Sequence, residues 1–246
     1  MSFLKAEWRK LIFINYEMDP AILQEYVPYG TELDFYKGKC YVSLVGFRFV
    51  NTRLLGLRIP FHVNFEEVNL RFYVKRLYQN NWRRGVVFLK EIVPKPAITF
   101  VASTFYNEKY ETMPMRHRWY ENEELREIEY QWKKKFDWQY FKVKAEKVAA
   151  PITIGSEAEF ITEHYWGYAK VNDQLSNEYE VKHPKWLQYG ILDYDIEVDF
   201  GPIYGNKFKF LNTCSPTSVL LAEGSEISVE SKSVIKTSTL PKVNLT

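Results

Sequence analysis

The sequence predicts a single β-rich α+β domain in which a few short helices pack on an antiparallel, barrel-like sheet. Three observations predict it. The chain holds 18 Tyr, 17 Phe and 7 Trp, and aromatic side chains fit pleated, half-buried surfaces better than helices. Strand-like apolar runs recur along its length, separated by polar turn residues. Only three segments carry helix-start signals, and no linker or internal repeat divides the 246 residues. All-β chains of this length commonly fold as one domain. Residues 1–246 are therefore expected to form one unit, with a frayed tail over about 232–246, where Ser, Thr and Lys dominate.

Taken in order, Trp8 to Tyr16 is apolar and aromatic and reads as a strand. Asp19-Pro20 supplies a helix N-cap and a proline at the first helical position, opening a short helix to about Tyr26 that Pro28-Tyr29-Gly30 stops. Leu33 to Tyr36, the Lys37-Gly38 turn and Cys40 to Val50 read as a hairpin. Phe65 to Leu77 is the clearest strand, turned by Gln79-Asn80-Asn81 into a second, Val86 to Val93. Pro96 starts a helix over Ala97 to Tyr106. Met115 to Val148 holds three aromatic-alternating runs, as in an antiparallel meander. Ser156 to Glu159 matches a capping box for a helix across Glu157 to His164. Strands are expected from Trp166 to about Ser231.

Charge and cysteine content exclude several classes. A net charge of +2 supplies no basic face for neutralising phosphates, so no nucleic-acid partner is expected. The short run Lys133-Lys134-Lys135 reads as a solvated hairpin end. Cys40 and Cys214 lie in apolar stretches without a CxxC, as buried reduced thiols would. The apolar run near the N-terminus, Leu11 to Ile14, is too short for a signal peptide core, and no apolar stretch reaches 18 residues. A cytoplasmic location without membrane partners is the default.

Familiar catalytic motifs are missing: there is no GxGxxG, Walker loop or GxSxG elbow, and the four histidines form no HExxH. Neither a metal nor another cofactor is expected. The informative segment is Glu66 to Val74. Side chains alternate across a strand, so Val68, Leu70, Phe72 and Val74 share one face and Glu67, Asn69, Arg71 and Tyr73 the other. The first face is core. The second either meets water or lines an interior in which Glu67 and Arg71 pair and hold a polar ligand, because an unpaired buried charge is very costly. His117 alternates with Arg116 and Arg118 and is expected to face inward. His183, before Pro184 and near Trp186, reads as a packed strand-end histidine or as an acid–base group on a cavity wall. Tyr110 reads as a ligand hydrogen-bond donor or as aromatic core, and Glu163 and Tyr165 as structural residues at a helix end.

The Glu66–Val74 segment is similar to the Glu-Leu-Asn-Val-Arg-Thr-Tyr-Val signature of the YqjF-like family of uncharacterised proteins. Further stretches agree in order: Trp8 to Leu11, Leu33-Asp34 with Gly38 and Tyr41-Val42, Glu163-His164-Tyr165, and His183-Pro184-Lys185-Trp186, over roughly residues 5–230. This resemblance implies an acetoacetate decarboxylase-like barrel with a central cavity. In acetoacetate decarboxylase a lysine, its pKa lowered by a neighbouring lysine, forms a Schiff base with the substrate. The corresponding segment here is Thr104 to Glu111, where the nucleophile position falls on Tyr110 and Lys109 stands one place early, facing the other way in extended chain.

Three functional readings result. The leading one is a small-molecule site inside the barrel for a polar or carboxylate ligand, with Glu67, Asn69, Arg71, Tyr73, Tyr110, His117 and His183 as its residues. The second is a lyase working through Lys109, with Tyr110 the other catalytic candidate. The third is an interaction module or homo-oligomer whose surplus aromatics form an interface.

Overall fold

Strand formation begins with β1 (Ser2–Met18), a long strand with alternate side chains in two different cores. The structure is a computed structural model that describes residues 2–236. Asp19 caps α1 (Pro20–Leu23) by accepting from the Ala21 amide at 2.9 Å, and a 3₁₀ turn (Gln24–Tyr26) extends it. Then come β2 (Glu32–Leu33), β3 (Cys40–Leu54), β4 (Phe65–Tyr78) and β5 (Asn81–Val93). Helix α2 (Pro96–Tyr106) crosses to β6 (Tyr110–Thr112), and β7 (Met115–Glu121), β8 (Arg126–Lys134) and β9 (Asp137–Pro151) form the expected meander. Ser156 caps α3 (Glu157–Thr162) by accepting from the Glu159 amide. The chain continues through β10 (Trp166–Asn172), β11 (Leu175–Lys182), β12 (Leu187–Glu197), α4 (Phe200–Tyr204), a 3₁₀ segment (Asn206–Thr213), β13 (Ser218–Glu230) and β14 (Ser233–Lys236).

All the strands belong to one sheet, whose main path runs β14-β11-β10-β5-β4-β3-β1-β13-β12-β9-β8-β7. It is mixed rather than antiparallel: β5 pairs in parallel with both β6 and β10. Parallel neighbours need a crossover, and α2 supplies the one between β5 and β6. β11 also pairs with β13 through Val181↔Val229 and Lys182↔Ser228, which closes the path through β1, β3, β4, β5 and β10 into a ring. One core lines the inside of this ring, with Phe13, Val45, Phe47 and Trp186 among its residues. A larger core lies on the outer face under β7–β9, β12 and the α4 segment, around Trp132, Tyr130 and Phe141.

Four sequence expectations are corrected. β2 pairs with β4, through Leu33↔Val74, and not with β3, whose two edges are already taken by β1 and β4; only the bridge Tyr36↔Lys39 remains of the expected hairpin. The stretch after β12 turns helical, because Phe200, Ile203, Tyr204, Phe208 and Leu211 recur at helical spacing and bury one face. The expected frayed tail begins too early: β14 completes the β11 edge, and Ile235 is fully buried, while residues 237–246 lie outside the described part. Cys214 is exposed at the end of the 3₁₀ segment; only Cys40 is buried, and both are free thiols. Among the described residues, no helix is long and apolar enough to cross a membrane.

Candidate functional site

The ring holds a partly open cavity of about 220 Å³ to which each of its seven strands, and also α2 and β6, contributes side chains. Most of the wall is apolar and aromatic, including Trp8, Phe47, Phe49, Phe65, Phe88 and Trp186. Its polar groups come chiefly from β4 and from the chain segments beside it. Both faces of β4 are buried, so the face bearing Glu67, Asn69 and Arg71 meets the cavity and not bulk water.

The backbone register explains which acids accompany them. A regular β4–β5 hairpin counted from Tyr78↔Asn81 pairs Arg71 with Phe88, and continued unbroken it would pair Asn69 with Lys90. A bulge between Leu70 and Arg71 shifts the register, so Asn69 faces Glu91 instead. Glu91 in turn pairs with Tyr110 of β6, setting Asn69, Glu91 and Tyr110 in a row across three strands. Asn107 ends α2 in the left-handed region at φ 60°, and the chain then runs extended. Glu108 and Tyr110 therefore point into the cavity while Lys109 points out.

Three carboxyls thus share one buried wall. Asn69 donates to Glu67 at 3.0 Å, Tyr110 donates to the other Glu67 oxygen at 3.2 Å, and Tyr179 donates to Glu108 at 2.9 Å. Gly167 makes the last contact feasible, because a Cβ there would lie only 2.2 Å from Cζ of the Tyr179 ring. Burial pushes the pKa of all three acids upward, Glu67 to about 7 and Glu108 to about 8. Glu91 rises well above the carboxylate range, first from burial and then from its acidic neighbours Glu108 and Glu67. At neutral pH much of the cluster is protonated and can donate hydrogen bonds.

Arg71 is the cavity's guanidinium. It is 8% exposed, donates to the Ile161 carbonyl at 3.3 Å, lies over the Phe13 and Tyr73 rings, and has no hydrogen-bond partner at Nε among the described residues. The expected Glu67–Arg71 ion pair does not form: the oxygens of Glu67 are taken by Asn69 and Tyr110, although the charge of Arg71 still restrains the rise in its pKa. Buried polar atoms without a partner among the described residues recur on this wall. Asn69 Oδ1, Glu91 Oε2, Trp8 Nε1 and His164 Nδ1 share that state with Arg71 Nε.

The other expected site residues divide. His183 lines the cavity, stacked on Trp186 with ring centroids 4.2 Å apart, and burial lowers its pKa to about 4. Tyr73 is buried beside the cavity in the ring core, where its hydroxyl meets Ser43 at 2.6 Å in a separate chain of hydrogen bonds through Asn15. His117 is on the outside, bonded to Glu66 and set edge-on against Trp119, because Glu66 projects from the β4 face opposite Glu67. Lys109 is exposed, its amine 5.2 Å from the centre of the Tyr26 ring, and no lysine lines the cavity among the described residues. Glu91, Glu108, Tyr179 and His164 are site residues that sequence reasoning missed. The alternation Glu108-Lys109-Tyr110 was an available signal for Glu108, whereas Glu91 depends on a bulge with no sequence mark.

Among the described residues no group of His, Cys, Asp and Glu is placed to hold a metal ion. The chain is similar to the uncharacterized protein YqjF of Bacillus subtilis, with 28% identity over 188 residues, covering 75% of this chain and 74% of that protein. Its fold is that of acetoacetate decarboxylase from Legionella pneumophila, at a TM-score of 0.62 and 13% identity over 94% of this chain and 86% of the other. An acetoacetate decarboxylase-like enzyme from Sphingomonas wittichii superposes at 0.65 with 9% identity, covering 96% and 94%. The enduracididine biosynthesis enzyme MppR, solved with pyruvate, superposes at 0.63 with 8% identity, covering 95% and 91%. The sequence pattern of one family spans residues 5–226, and the chain belongs to that family, DUF2071, described as an uncharacterized conserved protein.

Proposed function

We propose that the chain binds a small organic acid inside the barrel-like ring of strands, with Arg71 as the anchor for its carboxylate. The observation that carries this reading is a buried guanidinium with no carboxylate paired to it among the described residues. A charge in that position is costly unless something anionic completes it, and a guanidinium binds a carboxylate in two-point geometry. The cavity's own acids do not serve, because burial holds much of their charge off.

Those same acids suit proton transfer. With its pKa near 7, Glu67 holds both protonation states at neutral pH, as a general acid or base requires, and Tyr110 connects to it directly. Acid–base chemistry on a bound acid is therefore the enzymatic form of this proposal. MppR holding pyruvate in the same fold supports a small carboxylate as ligand. A Schiff base at Lys109 has no support, since its amine lies outside the cavity.

Phenylacetate and pyruvate serve as probes. At ten times its Kd a ligand stabilises by about 1.4 kcal/mol, which is about 3–6 °C in Tm for a chain of this size. Wild-type protein should show that shift with at least one of them, and Arg71→Gln should show none. Equal shifts in both proteins would remove Arg71 from the site, and no shift in wild type with either acid would overturn the carboxylate reading.

A further inference from the structure

Arg71 and the glutamates leave His164 unused. This residue follows α3, is 7% exposed and lines the cavity. Its Nε2 lies 3.2 Å from Asp34 Oδ2, an oxygen that also accepts from Arg84 Nε at 2.6 Å. Against the cost of burial, those two partners hold Asp34 below its ordinary pKa, so it is ionised. An ionised carboxylate only accepts, which places the proton of the ring on Nε2. Burial lowers the pKa of His164 to about 4, so at neutral pH the ring has a single proton and Nδ1 bears a lone pair.

No donor reaches that lone pair among the described residues. A buried acceptor without a donor is costly, and this one is held by two charged groups in the orientation that exposes the deficiency. What would satisfy it is a donor on the ligand. The donor is better neutral than cationic, because Arg84 and Arg71 both place positive charge near the ring. A hydroxyl meets that condition and an ammonium does not. The aromatic walls and a volume of about 220 Å³ favour an apolar body, given that a cavity of about 150 Å³ already takes up benzene.

We propose that the cavity selects a hydroxycarboxylic acid with an aromatic or alkyl body, its carboxylate on Arg71 and its hydroxyl donated to Nδ1 of His164. This rests on the carboxylate reading above and adds the hydroxyl to it. Asp34 and Arg84 are positioning residues here, since they act through the tautomer of His164.

Calorimetric titration with matched pairs tests it: mandelate against phenylacetate, and 3-phenyllactate against 3-phenylpropionate, with phenylglycine as the ammonium counterpart. One added buried hydrogen bond corresponds to about tenfold in affinity. At least one hydroxy acid should bind wild type about tenfold more tightly than its deoxy partner, and phenylglycine should bind more weakly than mandelate. His164→Phe should abolish the preference for the hydroxyl while still binding the deoxy acids. Should that variant fail to fold, ¹⁵N-histidine spectra of wild type keep the idea testable: the unprotonated Nδ1 resonance of His164 should move with a hydroxy acid and not with its deoxy partner. Deoxy acids that bind as tightly as the hydroxy acids would overturn the hydroxyl assignment and leave the carboxylate reading standing. Binding of no acid would overturn both.

Discussion

Glu108 sits at the cavity wall with one hydrogen bond from Tyr179, and burial lifts its pKa from the ordinary 4.5 to about 8. Between those values the folded chain keeps a proton that the unfolded chain has released. The stability linked to this group is therefore complete below pH 4.5 and is lost as the pH rises through about 8. His164 has the opposite sign: its pKa falls from 6.5 to about 4, so its contribution is present above 6.5 and is lost as the pH falls through 4. Stability should accordingly peak in mildly acidic solution and decline toward pH 8.5. Glu108→Gln keeps the shape without the proton, and a tenfold change in proton affinity on folding corresponds to about 1.4 kcal/mol. In urea melts at pH 5.5 and 8.5, the wild-type loss of a few kcal/mol should shrink clearly in this variant. An unchanged loss would mean that Glu108 is not the group that titrates.

At the scale of elements, the site depends on close approaches that only certain residues permit. Gly167 of β10 leaves room for the Tyr179 ring of β11, its direct partner across the pair. A methyl group there forces the ring aside, and overpacking of this kind costs about 1–3 kcal/mol. Gly167→Ala should lower stability by that amount in denaturant titration and release Tyr179 from Glu108. The combination with Tyr179→Phe should then cost less than the two changes summed; strict additivity would show that the glycine serves some other contact. The β4–β5 bulge works in the same way, by exchanging Lys90 for Glu91 opposite Asn69. Without it, an amine would face the cavity where the carboxyl now stands.

For the whole molecule, the ring closes where β11 meets β13, and β14 then covers the free edge of β11. Ile235 of β14 is fully buried in the outer core although its strand has only four residues. Its loss should therefore be felt globally. Ile235→Ala should cost about 2–5 kcal/mol, seen as a lower urea midpoint with an unchanged slope. A cost below about 0.5 kcal/mol would show that β14 contributes little to holding the sheet together.

Much of this molecule was legible in order of sequence because its signals are local. Asp19-Pro20, Pro96 and Ser156 start the helices expected of them, and the alternation from Glu66 to Val74 separates an outer-core face from one that meets the cavity. Alternation also carried Tyr110 inward and Lys109 outward, because side chains in extended chain must take opposite sides. Long-range pairing decided the rest. Nothing local to β4 tells that Glu67 bonds Asn69 and Tyr110 in preference to Arg71, or that His117 approaches Glu66 from outside the ring. Asp34 and His164 are 130 residues apart, and their contact exists only because β2 joins β4 and α3 ends beside it. Local signals were enough for most strands, for the two faces of β4 and for three helix starts, since these follow from backbone geometry over a few residues. That Glu91, Glu108, Tyr179 and His164 join Arg71 at one cavity was settled by the fold, because register, bulges and ring closure are set by packing between distant strands.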